Sequence, residues 1–331
     1  MHQPYDFSLH LARFGPGGTG YSEEVTVESA NAYCVEIAES HYENFPVLSL
    51  AVPPPLRQHF ANVYAFCRWS DDLGDELGDG DRPTEMLDWW REETEALFLG
   101  RARHPVMVAL AGTVREFLIP ADPFLDLISA FRQDQFVKRY ASFDELRDYC
   151  RRSADPVGRI VLYLLRCYTP ERVALSDAIC TGLQLANFLQ DVRIDYHEKG
   201  RIYLPQDEWK RYGVDESTFA RSSASPEFVD LMREEVSRAE GWLRAGLPLA
   251  KQMPGRFQLM IALFGEGGLA ILRRIRRARY NVLAERPRLG KWDRIGALGR
   301  AVIRSVGFKR SPPNQPTVDK TSTKNAPGSV V

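Results

Sequence analysis

The chain has 331 residues, 44% hydrophobic, 11% aromatic and 26% charged, which suits a globular protein and excludes collagen-like, disulfide-scaffold and wholly disordered classes. Lys and Arg number 43 against 44 Asp and Glu, a net charge of −1, so bulk charge gives no reason to expect a nucleic-acid partner. Cys34, Cys67, Cys150, Cys167 and Cys180 form no CxxC pair and read as buried thiols of a reducing compartment.

Residues 1–22 are polar, contain Gly-Pro-Gly-Gly and lack the apolar core of a signal peptide, so they are expected to be a flexible N-terminus. Helical periodicity follows almost without interruption. Helices are expected at about 26–42, 54–78, 83–100, 105–118, 121–138, 143–153, 156–167, 170–196, 226–251, 255–284 and 291–306. Pro53-Pro54-Pro55 opens the second, and Asp79-Gly80-Asp81 with Pro83 closes it. With no alternating strand, no repeat and no internal linker, the expected fold is a single all-α domain over residues 23–307. Residues 308–331 have little to bury and are expected to be a disordered tail. Apolar runs such as Ile160–Leu165 fall far short of the roughly 20 residues that span a bilayer, which points to a cytoplasmic protein, soluble or peripheral.

Two of these helices carry unusual polar stripes. In the 54–78 helix, Phe60, Val63, Phe66, Trp69 and Leu73 point to enclosure by neighbours, yet Tyr64, Arg68, Asp71 and Asp75 share an arc of roughly 60°. Asp72 and Glu76 flank them. Alone, the string DDLGDE also fits a solvated acidic face. In the 170–196 helix, Gln184, Asn187, Asp191 and Asp195 share an arc of roughly 80° among residues that are otherwise apolar. Ionised carboxylates on enclosed helices are costly unless cations meet them. Facing each other, two such pairs would form an oxygen cup for Mg²⁺, which takes one or two carboxylates and completes its shell with water and phosphate oxygens. No HExxH, His/Cys cluster or GxxxxGK[ST] is present, and no strand is expected to lead into a GxGxxG phosphate loop, so zinc, P-loop and nicotinamide chemistry are not expected. A Mg²⁺-held diphosphate is a good leaving group, and with no obvious nucleophile or His base between the stripes, the expected reaction ionises an activated carbon. Nearby aromatic rings would shelter the resulting cation.

The segments VYAFCRWSDDLGDE and LQLANFLQDVRIDYHEKGRIYLP resemble the two signature motifs of the squalene/phytoene synthase family, and the likeness runs from about residue 26 to 300. The resemblance implies an isoprenoid synthase bundle around a central active-site cavity, dependent on Mg²⁺ and acting on a lipophilic C30 or C15 prenyl diphosphate. It implies Asp71, Asp75, Asn187, Asp191 and Asp195 as the metal site, with the four aspartates, Tyr64 and Arg68 as the catalytic set. It implies Tyr64, Arg68, Gln184 and Arg201 as substrate or diphosphate contacts, joined by His41, Asn44 and Phe45.

Departures from the family pattern narrow the reading. Where condensing members have His-Ser-x-Ser-Phe, this chain has His41-Tyr42-Glu43-Asn44-Phe45. Gln190 stands in place of an arginine, and Arg151 in place of a tyrosine. Fewer phosphate donors suit one bound diphosphate, not two. ENFPV, YCRRSADPVG and YNVLAERPRLGKW are similar to the bacterial hydroxysqualene synthases, which ionise presqualene diphosphate and quench the cation with water without a nicotinamide cofactor. The rivals are condensation of two farnesyl diphosphates, elongating prenyl synthesis, and a non-catalytic helical protein that binds lipid or a partner. Residues 271–310 hold thirteen Lys and Arg against Glu285 and Asp293, which fits either a solvated helix face or peripheral contact with an anionic membrane on the inner face of the cell.

Overall fold

The computed structural model describes residues 5–20, 24–40, 52–78, 80–255 and 257–306. Among them no strand occurs. The helices are α1 (Phe7–Phe14), α2 (Val27–Ser40), α3 (Pro54–Asp75), α4 (Arg82–Phe98), α5 (Pro105–Phe117), α6 (Asp122–Gln133) and α7 (Phe143–Ser153). They continue with α8 (Asp155–Leu164), α9 (Pro170–Lys199), α10 (Gln206–Arg211), α11 (Pro226–Gly246), α12 (Leu249–Gln252), α13 (Phe257–Arg277) and α14 (Lys291–Val306), with a 3₁₀ turn at Glu216–Ala220. Local chemistry explains many of the starts. Proline occupies the first turn of α3, α5, α9 and α11, where its missing N–H costs nothing. The side chains of Thr169 and Ser225 cap α9 and α11 by accepting backbone N–H bonds.

The N-terminal expectation is corrected by α1. Asp6 caps this helix through the Ser8 N–H at 3.0 Å. Phe7 packs edge-on against Trp69, with ring centroids 5.1 Å apart, and Phe14 packs against Tyr33. Two anchors seven residues apart in a polar, glycine-bounded stretch give too little periodicity to see in sequence. Three other differences have plain causes. The expected 226–251 helix divides into α11 and α12 around Pro248, which cannot continue the hydrogen-bond ladder. The helix expected to reach 284 stops at Arg277, because Arg279 and Tyr280 take positive φ values of 53° and 61°. Helix α6 ends at Gln133 instead of 138, which leaves Asp134 and Gln135 free to serve the neighbouring site. The tail expected to be disordered, 308–331, lies outside the described residues.

Two helices organise the packing. Around α3 lie α2, α4, α5 and α6, with Phe66, Trp69, Trp90 and Phe124 fully buried. Around α9 lie α7, α8, α11 and α13, with Phe228, Leu231, Leu243 and Leu272 buried. Helix α8 touches both α3 and α9. The α9–α11 contact is close because glycine faces it from each side: a Cβ on Gly182 would meet Leu243 N at 2.8 Å, and one on Gly246 would meet Leu175 O at 2.6 Å. No helix among the described residues is long and apolar enough to cross a membrane.

Candidate active site

Exposure along α3 and α9 picks out the polar stripes. Between Phe60 and Asp75 the only residues not buried are Tyr64, Cys67, Arg68, Asp71 and Asp75. Between Ala178 and Asp195 they are Cys180, Leu183, Gln184, Asn187, Asp191, Arg193 and Ile194. Arg193 apart, each set spans an arc of about 100°. Arg193 points elsewhere and donates to the carbonyls of Leu283 and Ala284. Each stripe borders a hollow in the packing, and Lys199 and Arg201 join the two at Asp75. Burial pushes the Cys67 and Cys180 thiols up to about 12, although both side chains retain open surface. Asp71 behaves alike: burial, then the Asp75 charge, raise its carboxyl above the usual range while 44% of the side chain stays open. Groups desolvated by surrounding protein yet still open line a concave space.

The carboxyls meet cations from other segments. Arg68 donates through Nε to Asp72 at 3.0 Å and lies 3.5 Å from Asp71. Asp72 is fully buried and turns away from the open stripe; it accepts from the Tyr5 hydroxyl at 2.7 Å. Asp75 accepts from Lys199 and, at 3.0 Å, from Arg201. Burial works upward on Asp75, but the hydrogen bonds and charges of Lys199 and Arg201 outweigh it and hold the carboxyl below its usual range. Gly200 makes this bridge geometrically feasible. Its left-handed φ of 61° ends α9, and the Gly200 and Arg201 N–H groups both turn back to the Asp195 carbonyl. The chain thereby reverses and aims Arg201 at the end of α3.

Across the hollow, Asp191 forms a two-pronged ion pair with Arg286, whose Nη2 donates to Oδ2 at 2.9 Å. Asp195 is buried, and burial followed by the Asp191 charge pushes its carboxyl up to about 7. Gln184 is half-buried and Asn187 exposed on the same stripe. Gln190 does not face the hollow: it is buried and donates to the Pro287 carbonyl, tying α9 to the segment before α14. Arg151 is exposed and 4.0 Å from Asp148, outside the site. His41, Asn44 and Phe45 lie outside the described residues.

The structure therefore places Tyr64, Arg68, Asp71 and Asp75 on the open stripe of α3 and Gln184, Asn187 and Asp191 on that of α9, with Asp195 buried near the end of α9 and Arg201 reaching Asp75 at the end of α3. Arg201 is 5% exposed and sits between Asp75 and Asp134, so it is held chiefly by acids of the protein. Sequence reasoning misses four members. Asp134 accepts from Tyr149 at 2.6 Å and Tyr203 at 3.3 Å, with burial raising it to about 6. Lys199 and Arg286 are visible in the strings HEKGR and LAERPR, but nothing in their spacing assigns partners. Tyr5 lies in the stretch expected to be flexible.

Seven carboxyls (Asp71, Asp72, Asp75, Glu76, Asp134, Asp191 and Asp195) thus share four cations (Arg68, Lys199, Arg201 and Arg286). The donors are oxygen throughout, which fits hard divalent cations. Among the described residues no three His, Cys, Asp or Glu side chains stand close enough to hold an ion by themselves. A separate surface pocket lined by Arg91, Arg132 and Arg152 contains none of the motif residues.

Comparison with known proteins gives a consistent result. The squalene/phytoene synthase pattern matches residues 38–293. A hydroxysqualene synthase of Rhodopseudomonas palustris is 38% identical over 213 residues, covering 64% of this chain and 71% of that protein. A 15-cis-phytoene synthase of Synechocystis is 32% identical, covering 65% and 67%. Among solved structures, squalene synthase HpnC from Alicyclobacillus acidocaldarius aligns with a TM-score of 0.73 at 42% identity, over 78% of this chain and 97% of that one. A dehydrosqualene synthase aligns with a TM-score of 0.76 at 24% identity, which shows a shared fold.

Proposed function

The chain belongs to the squalene/phytoene synthase family, enzymes that process prenyl diphosphates, and from that premise we propose that it is a hydroxysqualene synthase. The proposed reaction converts presqualene diphosphate and water into hydroxysqualene and diphosphate, a step toward squalene and hopanoids. The observation that carries the reading is the pair of open, acid-bearing stripes on two otherwise buried helices, joined where Lys199 and Arg201 reach Asp75. Mg²⁺ bound by Asp71, Asp75, Asn187, Asp191 and Asp195 would supply charge neutralisation for the departing diphosphate. No three of the four aspartates stand close enough to enclose an ion alone, so phosphate oxygens and water would complete its shell, which would couple metal to substrate.

The remaining work falls to the protein's own groups. Arg68 and Lys199 stand beside the stripe acids with open surface for an anion, while the buried Arg201 holds Asp75 in place. On the turns before the acids, Tyr64, Cys67 and Leu183 give the hollow a largely apolar wall that would keep water from most of a carbocation. Support for one diphosphate over two comes from the donors. His41–Phe45 lacks both serines of condensing relatives, and Gln190, in the position of their arginine, is committed to Pro287. The resemblance to hydroxysqualene synthases at 38% supports the same choice. Condensation of two farnesyl diphosphates is the second reading, favoured by phytoene synthases that match over 82% of this chain. The chain of a C30 substrate is nearly insoluble in water, and we place the enzyme in the cytoplasm as a peripheral protein of an anionic membrane face.

Parallel incubation with Mg²⁺ and either presqualene diphosphate or farnesyl diphosphate tests the choice. The expected result is a C30 alcohol from the first, carrying oxygen from labelled water, and little C30 product from the second. Efficient conversion of farnesyl diphosphate would promote the condensing reading.

A further inference from the structure

Helix α14 carries its large apolar side chains on the side away from the bundle. Among its described side chains the buried ones are the small Ala297 and Ala301, with Arg300 and Arg304 reaching the buried Glu266. Its outer face holds Trp292 (83% exposed), Ile295, Leu298, Val302 and Ile303 (72% exposed). At 100° per residue these five share an arc of about 140°, centred nearly opposite Ala297 and Ala301. A helix that merely covers a core does the reverse and turns its large residues inward. A contiguous apolar strip of this kind marks a contact surface.

Charge identifies the contact. Arg274, Arg279, Arg288 and Arg294 are exposed and make no ion pair among the described residues. Asp293, the lone acid of α14, is turned to Arg277 at 2.7 Å, which also joins the basic end of α13 to the start of α14. We propose that the outer face of α14 docks on an anionic lipid membrane, lying in the interface with Trp292, Ile295 and Ile303 among the acyl chains and the arginines at the headgroups. The inference rests on the peripheral reading above and adds the face that performs it. A second copy is a poorer occupant, because a two-fold contact would bring the same unpaired arginines together. The placement also suits the site: the loop leading into α14 carries Arg286 to Asp191 and Pro287 to Gln190, so a short segment links the docking helix to the catalytic hollow.

The test uses the full-length protein and vesicles of phosphatidylcholine, with and without phosphatidylglycerol. Wild type should sediment with the anionic vesicles only. Combined Trp292→Ser, Ile295→Ser and Ile303→Ser should lower the partition coefficient at least tenfold, with unchanged circular dichroism and melting temperature because all three residues are exposed. Tryptophan emission should shift to the blue on binding, and Trp292→Phe should bind but lose that shift. Wild type that ignores anionic vesicles would overturn both the peripheral reading and the docking face. Wild type that binds while the triple variant binds equally would overturn the α14 assignment alone. Dimerisation of wild type without lipid, lost in the triple variant together with no vesicle binding, would give the face to a second copy.

Discussion

Glu266 and Asp195 are both withdrawn from bulk water, yet their surroundings are balanced in opposite ways. Glu266 has no exposed surface and is roofed by three arginines, with Arg304 at 2.6 Å, Arg300 at 2.9 Å and Arg273 at 3.5 Å. Burial pushes its carboxyl upward, but the bonds from Arg304 and Arg300 outweigh it and hold the group below its usual range. Around the hollow the ratio is reversed: acids outnumber cations, and Asp195 is driven up to about 7 by burial and Asp191. A surplus of cations around one acid pins two helices together. A surplus of acids lining an open hollow is unfavourable for the fold alone, and it creates a demand for external cations.

Substitution should separate the two regions cleanly. The largest effect is expected for Asp191→Asn, which should slow diphosphate release roughly a thousandfold. Its melting temperature should stay within about 4 °C of wild type, a change near 1 kcal/mol. Steady-state release assays and thermal melts check the two halves of that expectation. Glu266→Gln should do the opposite. It should cost about 3 kcal/mol in denaturant unfolding, as expected for breaking a buried ion cluster, with turnover per folded molecule nearly unchanged. The sign of its pH dependence follows from the lowered carboxyl. The stabilisation is complete above the unfolded value of about 4.3 and is lost as pH falls through the folded one, so wild type and variant should converge in acid. The smallest effect is expected for Arg151→Ala. The side chain is exposed and weakly paired, and both turnover and melting should match wild type within error.

Much of this contrast is legible in the sequence, and what is not has physical reasons. The stripes on α3 and α9 follow from helical geometry, since 64, 68, 71, 75 and 184, 187, 191 repeat at offsets that any α-helix aligns. Asp195, expected on the open stripe, is buried near the end of α9, where the turn at Gly200 sends Arg201 to Asp75 of α3. Arg286 and Asp134 come from segments far from both motifs, and no local period connects them to Asp191 or Arg201. Helix α1 is held by Tyr5, Phe7 and Phe14 meeting partners at Asp72, Trp69 and Tyr33, contacts of long sequence separation in a stretch of weak periodicity. The seat of Glu266 is hidden for a related reason: its three arginines fall within a basic run whose charge alone also fits a solvated face.

The central claim is that the stripes of α3 and α9 form one site for Mg²⁺ and diphosphate. Calorimetric titration of inorganic diphosphate with excess Mg²⁺ into wild type, Asp75→Asn and Asp191→Asn tests it without relying on turnover. One shared site predicts that wild type binds and that either substitution, on either helix, weakens binding at least tenfold. Undiminished affinity in either variant, with its fold intact, would contradict the account.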